Sequence, residues 1–138
     1  MSIFNANDKF WPRAEHNVQT INEKTKCKAT LHRLEDLDDL KSEIASSALF
    51  ANATCVGMKP LEGQTYIPDK SFLRPDLIVT DVVYAPTETA LLKMAKEVGC
   101  KTMNGMGMML FQGAAAFKIW TGREMPIDYM KKVLDIHY

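Results

Sequence analysis

Hydrophobic positions along the chain switch repeatedly between a period of two residues and a period of three to four. Residues 27–34 alternate apolar and polar side chains, whereas residues 9–24 and 36–47 place apolar side chains at steps of three and four. The first pattern predicts a strand. The second predicts amphipathic helices, and Pro12 is tolerated because it falls in a first helical turn. Strands and helices therefore alternate from the start of the chain.

The rest of the chain continues this alternation, with strands that are more uniformly apolar. Further strands are predicted at residues 3–4, 49–56, 77–83 and 100–103, and helices at residues 87–98, 108–121 and 127–136. Between them, residues 57–73 predict a loop with one short helical turn. Thr87 or Thr89 can cap the helix that Gly99 ends. Strands alternating with helices predict the α/β class, with a parallel sheet covered on both sides.

Composition narrows the class of protein further. With 138 residues, 46% of them hydrophobic, the chain predicts one compact domain. Seventeen basic residues balance seventeen acidic ones, which argues against nucleic acid or an anionic membrane as a partner. The sequence shows no secretion signal and no membrane-spanning run, so we expect a cytoplasmic protein. Three widely spaced cysteines predict reduced thiols and no metal site.

Ligands of parallel α/β sheets bind at the carboxyl ends of the strands, so the loops there are the candidate sites. In the FNAND loop, Asp8 can accept hydrogen bonds from ribose hydroxyls or simply cap the next helix. Gly57 in NATCVGMKP permits close backbone approach, and Tyr84 in DVVYAPTETALL offers an aromatic face or a structural contact. Gly105 and Gly107 stand where a strand meets a helix, either as a ligand site or as a capping turn.

In this order and spacing, the loops resemble the C-terminal part of the shikimate dehydrogenases, most closely the branch that also accepts quinate. The matching segments are FNAND, NATCVGMKP, TDVVYAPTETALLKMAKEVGCKTMNGMGMMLFQGAAAFKIWTG and PIDYMKKVL. The resemblance implies a partial NAD(P)-binding Rossmann-like domain over residues 1–138. Its doubly wound parallel sheet would have about five strands, with helices on both faces. The expected fold is incomplete, because the first strand and its glycine-rich loop are missing.

The resemblance also implies that an N-terminal substrate domain, with its catalytic lysine and aspartate, is absent. We therefore interpret the sequence as a fragment, whether a cloned domain, a proteolysis product or a truncated gene. No catalytic residue is assigned to this chain, and the isolated chain is expected to be inactive. The intact enzyme would transfer a hydride between NAD(P) and shikimate or quinate, giving the 3-dehydro ketone, in aromatic amino-acid biosynthesis or quinate metabolism.

Site residues are carried over from the resemblance position by position. The implied cofactor contacts are Asn5, Asp8, Cys55, Val82, Val83, Tyr84, Ala85, Gly105 and Met108, and the implied substrate contacts are Gln112 and Tyr84. Cys55 replaces a lysine of the quinate-accepting relatives, and Ala85 replaces an asparagine that is common in the family. NADP-preferring relatives have an arginine where this chain has Ala6 and Asn7. We therefore expect NAD to be preferred over NADP, with weak binding in this chain.

Two alternatives to a dehydrogenase remain open: a stand-alone nucleotide-binding module, and a self-associating structural module. In the family's strand order 3-2-1-4-5-6 the missing strand is central. Residues 3–5 would then either pair directly with residues 49–54 or leave an open, apolar edge. Such an edge favours a homodimer or an exchanged oligomer.

Overall fold

A computed structural model of the chain describes residues 1–136. In chain order the elements are β1 (Ser2–Asn5), α1 (Trp11–Lys24), β2 (Thr30–Arg33), α2 (Leu37–Ser46), β3 (Leu49–Asn52), β4 (Ile78–Asp81), α3 (Ala90–Val98), β5 (Lys101–Met103), α4 (Met106–Thr121) and α5 (Ile127–Val133). A short 3₁₀ turn, Lys70–Phe72, lies between β3 and β4. All paired strands are parallel, which confirms the predicted α/β class.

The chain divides into two compact units, Met1–Ser47 and the residues from Ala48 onward. In the first unit β1 pairs with β2, with Ser2 opposite Thr30. Leu40 and Ile44 on α2 are buried, as their four-residue spacing predicts. The Asp36 side chain caps α2 by accepting a hydrogen bond from the Asp39 backbone N–H at 3.1 Å. The first unit is thus a strand–helix–strand–helix segment with its own small core.

The second unit contains a three-stranded sheet with β4 in the centre. Leu77, just before β4, and Val79 are fully buried on one face of this strand, whereas Ile78 between them is 38% exposed. On α3 the buried side chains are those of Leu91, Leu92 and Ala95. Of the two threonines that could cap α3, Thr89 does so, and its hydroxyl accepts a hydrogen bond from the Leu92 N–H. Gly99 ends this helix at φ 93°, a left-handed conformation that favours glycine.

The strands form two sheets, and not the single sheet that the resemblance implied. Within residues 1–136, β1 pairs with β2 alone among the strands, and β3 pairs with β4 alone. The suggested pairing of residues 3–5 with residues 49–54 is therefore wrong. Without its strand 1, the family order 3-2-1-4-5-6 leaves one pair of strands and one group of three. The two observed sheets, β2-β1 and β3-β4-β5, correspond to this pair and this group. As a result β1 and β3 each keep an edge whose backbone N–H and C=O groups meet no neighbouring strand.

Several elements begin or end at other residues than the sequence predicted. β3 stops at Asn52 because the Asn52 side chain accepts a hydrogen bond from the Thr54 N–H and turns the chain. α4 begins at Met106, two residues early, because Asn104 Oδ1 accepts the Met106 N–H at 3.1 Å. α5 ends at Val133, three residues early, and Asp135 just beyond it has a positive φ of 50°. Side-chain hydrogen bonds set the first two of these boundaries.

Candidate functional site

The carboxyl ends of β3, β4 and β5 lie at one edge of the three-stranded sheet. Asn52, the last residue of β3, stands opposite Asp81, the last residue of β4. The loops that follow are residues 53–57, 82–89 and 104–105, and we call them the strand-end loops. Because ligands of parallel α/β sheets bind at this edge, the strand-end loops form the candidate site of the second unit.

A buried carboxylate, that of Asp81, joins these loops. Asp81 is 1% exposed, and its Oδ1 accepts hydrogen bonds from Asn52 Nδ2 at 3.1 Å and from the Val83 N–H at 3.0 Å. Its Oδ2 accepts from the Thr89 hydroxyl at 2.7 Å. Since a buried carboxylate needs hydrogen-bond donors to offset its desolvation, these three bonds make its burial tolerable.

Asn52 extends this network into the loop after β3. Its Nδ2 also donates to the Val56 carbonyl at 3.1 Å. Its Oδ1 accepts from both the backbone N–H and the hydroxyl of Thr54, at 3.1 and 2.7 Å. The loop that carries Cys55 is therefore wound around one buried amide side chain. Hydrogen bonds of the Asn52 side chain thus hold the first part of the segment NATCVGMKP in its turn.

Gly105 packs against the backbone of the loop after β4. Its N–H donates to the Val83 carbonyl at 3.0 Å, and a Cβ placed on it would lie 2.0 Å from the Val82 carbonyl oxygen. The φ of Gly105 is −75°, so the need for glycine comes from this close approach and not from backbone strain. On the other side of the junction, Asn104 Nδ2 donates to the Thr87 carbonyl at 3.1 Å. The start of α4 is thus fixed to the loop after β4.

The structure brings together most of the residues that the resemblance assigned to this site, with different accessibility. Tyr84 is 48% exposed, and Cys55, Ala85 and Met108 are also exposed. Val82 is half-buried, whereas Val83 is 4% exposed and offers its backbone rather than its side chain. Gly105 is buried against Val82.

Gln112, the residue assigned to the substrate, lies on the exposed part of α4. Its Nε2 donates to the carbonyl of Met109, one turn earlier in the same helix, at 3.0 Å. The side chain is therefore accessible, and only a weak local hydrogen bond would have to be exchanged for contact with a substrate hydroxyl.

Two of the predicted cofactor residues, Asn5 and Asp8, belong to the first unit. Asn5 ends β1, and its Nδ2 donates to the adjacent Ala6 carbonyl. Asp8 Oδ1 accepts the Phe10 N–H at 2.8 Å in the turn before α1, whose N-cap residue, Phe10, has no side-chain cap hydrogen bond. The Asn7 N–H donates to Glu35 Oε1 at 3.0 Å. This second carboxylate beside the FNAND loop was not predicted from the sequence.

An open groove of about 650 Å³ adjoins Asn5 in the same unit. Ile3 and Asn5 of β1 line it on one side, and Arg13, Ala14 and Ile21 of α1 line it on the other. Arg13 is exposed, and sequence reasoning had not singled it out. In the sequence, only its position three residues after Phe10 indicates that Arg13 lies on the same side of the helix as Phe10.

Cys100 and His32 have structural settings. Cys100 is buried with its Sγ 3.2 Å from the Arg74 carbonyl oxygen, and burial raises the pKa of its thiol above the ordinary value. His32 stacks on Phe4 and pairs with Asp39 at 2.6 Å. Within residues 1–136, no group of three or more His, Cys, Asp and Glu side chains could hold a metal ion. None of the described helices is long and apolar enough to cross a membrane.

The fold and the strand-end loops are those of a partial, Rossmann-like parallel α/β domain, and the chain is confirmed as similar to the C-terminal half of the shikimate dehydrogenases. A family model for the shikimate 5′-dehydrogenase C-terminal domain matches residues 105–134. A shikimate dehydrogenase (NADP(+)) of Listeria monocytogenes is 58% identical over 134 residues, and one of Streptococcus uberis is 53% identical over 133. These matches cover 97% and 96% of this chain.

Solved structures agree with this assignment. The crystal structure of shikimate 5-dehydrogenase from Listeria monocytogenes, in complex with shikimate and NAD, matches with a TM-score of 0.91 and 59% identity over 96% of this chain. Quinate dehydrogenase from Corynebacterium glutamicum in complex with NAD matches with a TM-score of 0.81 and 30% identity over 98% of this chain. The chain spans 46% of the length of each of these two proteins, and 46% and 45% of the two curated relatives.

The close approach at Gly105 generates a matched test within α4. Gly105→Ala places a methyl group inside the Val82 backbone contact, and we expect it to lower the free energy of unfolding by about 2–4 kcal/mol. Gly113→Ala meets nothing within 4 Å and sits inside the helix, so it should raise stability by about 0.5–1 kcal/mol. Urea denaturation measures both, and equal effects of the two changes would contradict the close approach.

Proposed function

We propose that this chain supplies the nicotinamide-cofactor side of an oxidoreductase that transfers a hydride between NAD(P) and shikimate or quinate. The observation that carries the proposal is the joining of the strand-end loops by the Asp81 network. It occurs in a chain 58% identical over 134 residues to a shikimate dehydrogenase. Proteins of this fold bind their ligands at the edge where these loops lie.

The exposed side chains at this edge suit a flat heteroaromatic ring. The Tyr84 ring and the Met108 thioether can both make dispersion contacts with such a ring, and both are about half exposed. NAD or NADP, when bound, supplies the hydride donor or acceptor. The work of the chain is to orient that ring and to keep water from its reacting face.

Gln112 is the proposed contact with the substrate. Its exposed amide can both donate and accept hydrogen bonds, which suits vicinal hydroxyl groups of a polyhydroxylated ring. Oxidation of one such hydroxyl to a ketone also requires a group that takes the hydroxyl proton. We assign no such acid–base group to these 138 residues, and therefore propose that the isolated chain does not turn over.

A chimeric enzyme tests both the proposed role of this chain and the proposed inactivity of the chain alone. The matching 134 residues of the Listeria monocytogenes enzyme are replaced by this chain, and NAD(P) reduction with shikimate or quinate is assayed. The chimera should be active and the isolated chain inactive. Gln112→Ala in the chimera should lower kcat/KM about tenfold, the effect of one lost hydrogen bond of about 1.4 kcal/mol. Gln19→Ala, an exposed glutamine on α1, should leave kcat/KM unchanged. A folded but inactive chimera would argue against the proposed function.

NAD is the preferred cofactor in this proposal. The loop that would face the adenosine ribose has Ala6 and Asn7 where a cation would be needed for a 2′-phosphate. The Asp8 and Glu35 carboxylates stand in or beside that loop and would repel the phosphate dianion. Two curated relatives carry NADP(+) in their names, whereas the Listeria monocytogenes structure contains NAD.

Adding a cation to the FNAND loop tests the preference. Ala6→Arg should tighten NADP binding about tenfold, through one charge-assisted hydrogen bond, and leave NAD binding unchanged. Ala6→Gln adds length without charge and serves as the control. Titration calorimetry in low salt measures the dissociation constants, and the gain should shrink in 0.5 M salt. Wild-type chain that binds NADP more tightly than NAD would contradict the proposed preference.

Self-association is the second candidate function, and exposed apolar surface favours it. Trp120 is 82% exposed and Ile119 lies beside it on α4, while Tyr129 and Val133 are exposed on α5. Together with the open edges of β1 and β3, such surface favours contact with another copy of the chain.

Light scattering decides whether the isolated chain self-associates. We expect a dimer, or a larger species whose share grows with protein concentration. Trp120→Glu with Ile119→Lys should shift the population toward the monomer, because charges at an apolar contact are costly to desolvate. A sharp monomer peak for the wild-type chain at high concentration would rule self-association out.

A further inference from the structure

Asp81 has no surface from which it could contact a ligand. It is 1% exposed, and Thr89, its hydrogen-bond partner, is 2% exposed. The proposed cofactor contacts do not include Asp81, Asn52 or Thr89. A carboxylate buried without a cationic partner in its hydrogen-bond network is costly, so its place at the end of the central strand calls for an explanation.

We propose that Asp81 is the positioning residue of the cofactor site, and this rests on the proposed function. Its two oxygens fix three separate segments: the end of β3 through Asn52, the start of the loop after β4 through the Val83 N–H, and the start of α3 through Thr89. These segments flank the exposed Cys55 and Tyr84 side chains. Asp81 therefore sets where both side chains stand relative to the sheet edge.

The network continues from Asp81 to α4. Val83 donates its N–H to Asp81 and accepts the Gly105 N–H with its carbonyl, so one peptide segment links the carboxylate to the start of that helix. Gly57 packs directly on Thr89, because a Cβ on Gly57 would lie 3.1 Å from Thr89 Cγ2. A shift of the Asp81 carboxylate would move the loops after all three strands together.

Only a carboxylate satisfies this arrangement. All three partners donate hydrogen bonds to Asp81, and an asparagine would present its NH₂ group to at least one of them. In the better orientation of an asparagine, its NH₂ would face the Thr89 hydroxyl and leave that hydroxyl proton without its acceptor. Asp81→Asn thus keeps the volume of the side chain and breaks the network at a defined point.

The experiment compares variants of the full 138-residue chain by NAD titration and by amide hydrogen exchange, both followed by NMR. Asp81→Asn should weaken NAD binding at least about tenfold and speed exchange at the Val83 and Gly105 amides. Thr89→Val, which keeps the shape and loses the hydroxyl, should weaken binding in the same direction. Thr89→Ser keeps the hydroxyl and should bind NAD within about twofold of wild type.

Two controls separate positioning from general stability. Val79→Ala removes buried methyl groups from the same strand and destabilises the sheet without touching the network, so NAD affinity of the folded protein should not change. Asp76→Asn removes an exposed carboxylate just before β4 and should change neither readout.

Each outcome decides the proposal. The positioning role is overturned if Asp81→Asn binds NAD with wild-type affinity. It is also overturned if Asp81→Asn speeds amide hydrogen exchange no more than Val79→Ala does. If the wild-type chain binds no NAD, cofactor binding by the chain alone fails, and the exchange data still decide whether Asp81 fixes the loops. If Asp81→Asn does not fold, the NAD affinities of Thr89→Val and Thr89→Ser are compared instead. Equal affinities of these two variants would overturn the positioning role.

Discussion

The second unit depends on the hydrogen bonds that gather around the Asp81 carboxylate. Parallel strands end together at one edge of a sheet, but their loops need further contacts to take a single arrangement. Here one carboxylate at the end of the central strand accepts hydrogen bonds from both flanking segments and from the cap of α3. A buried charge is retained because each of its donors would otherwise also be buried without an acceptor. Polar interaction, and not apolar packing, shapes the site.

Backbone-to-backbone packing completes what the carboxylate begins. The contact between Gly105 and Val82 brings α4 so close to the loop after β4 that no side chain fits between them. The exposed residues Tyr84 and Met108 are consequently presented from two segments that meet at this backbone contact. In the proposed function, this contact, rather than any single exposed side chain, orients the nicotinamide ring.

Local signals in the sequence predicted the element types, and longer-range contacts decided the rest. Thr89 and Gly99 act within one turn of α3, so both were readable as its cap and its end. The network around Asp81 was missed because Asn52 is 29 residues away along the chain. A signal was nevertheless present, since the strand segments LFAN and IVTD each end in a polar residue and Asn104 directly follows the segment KTM. The split into two sheets depends on which strands find a partner, and hydrophobic periodicity does not specify that. The role of Gln112 as a ligand contact came from the resemblance alone.

Each of the two units contains one exposed cysteine that can be labelled chemically. Cys27 lies exposed in the first unit and Cys55 lies exposed in the second, while burial and a raised pKa slow the reaction of Cys100. Thiol-specific spin labels or fluorophores can therefore be attached once per unit without changing the sequence. A spectroscopic ruler between the two labels would report the separation of the units in solution. A label on Cys55 would also report whether NAD binds at the proposed cofactor site, because Cys55 is one of its proposed contacts.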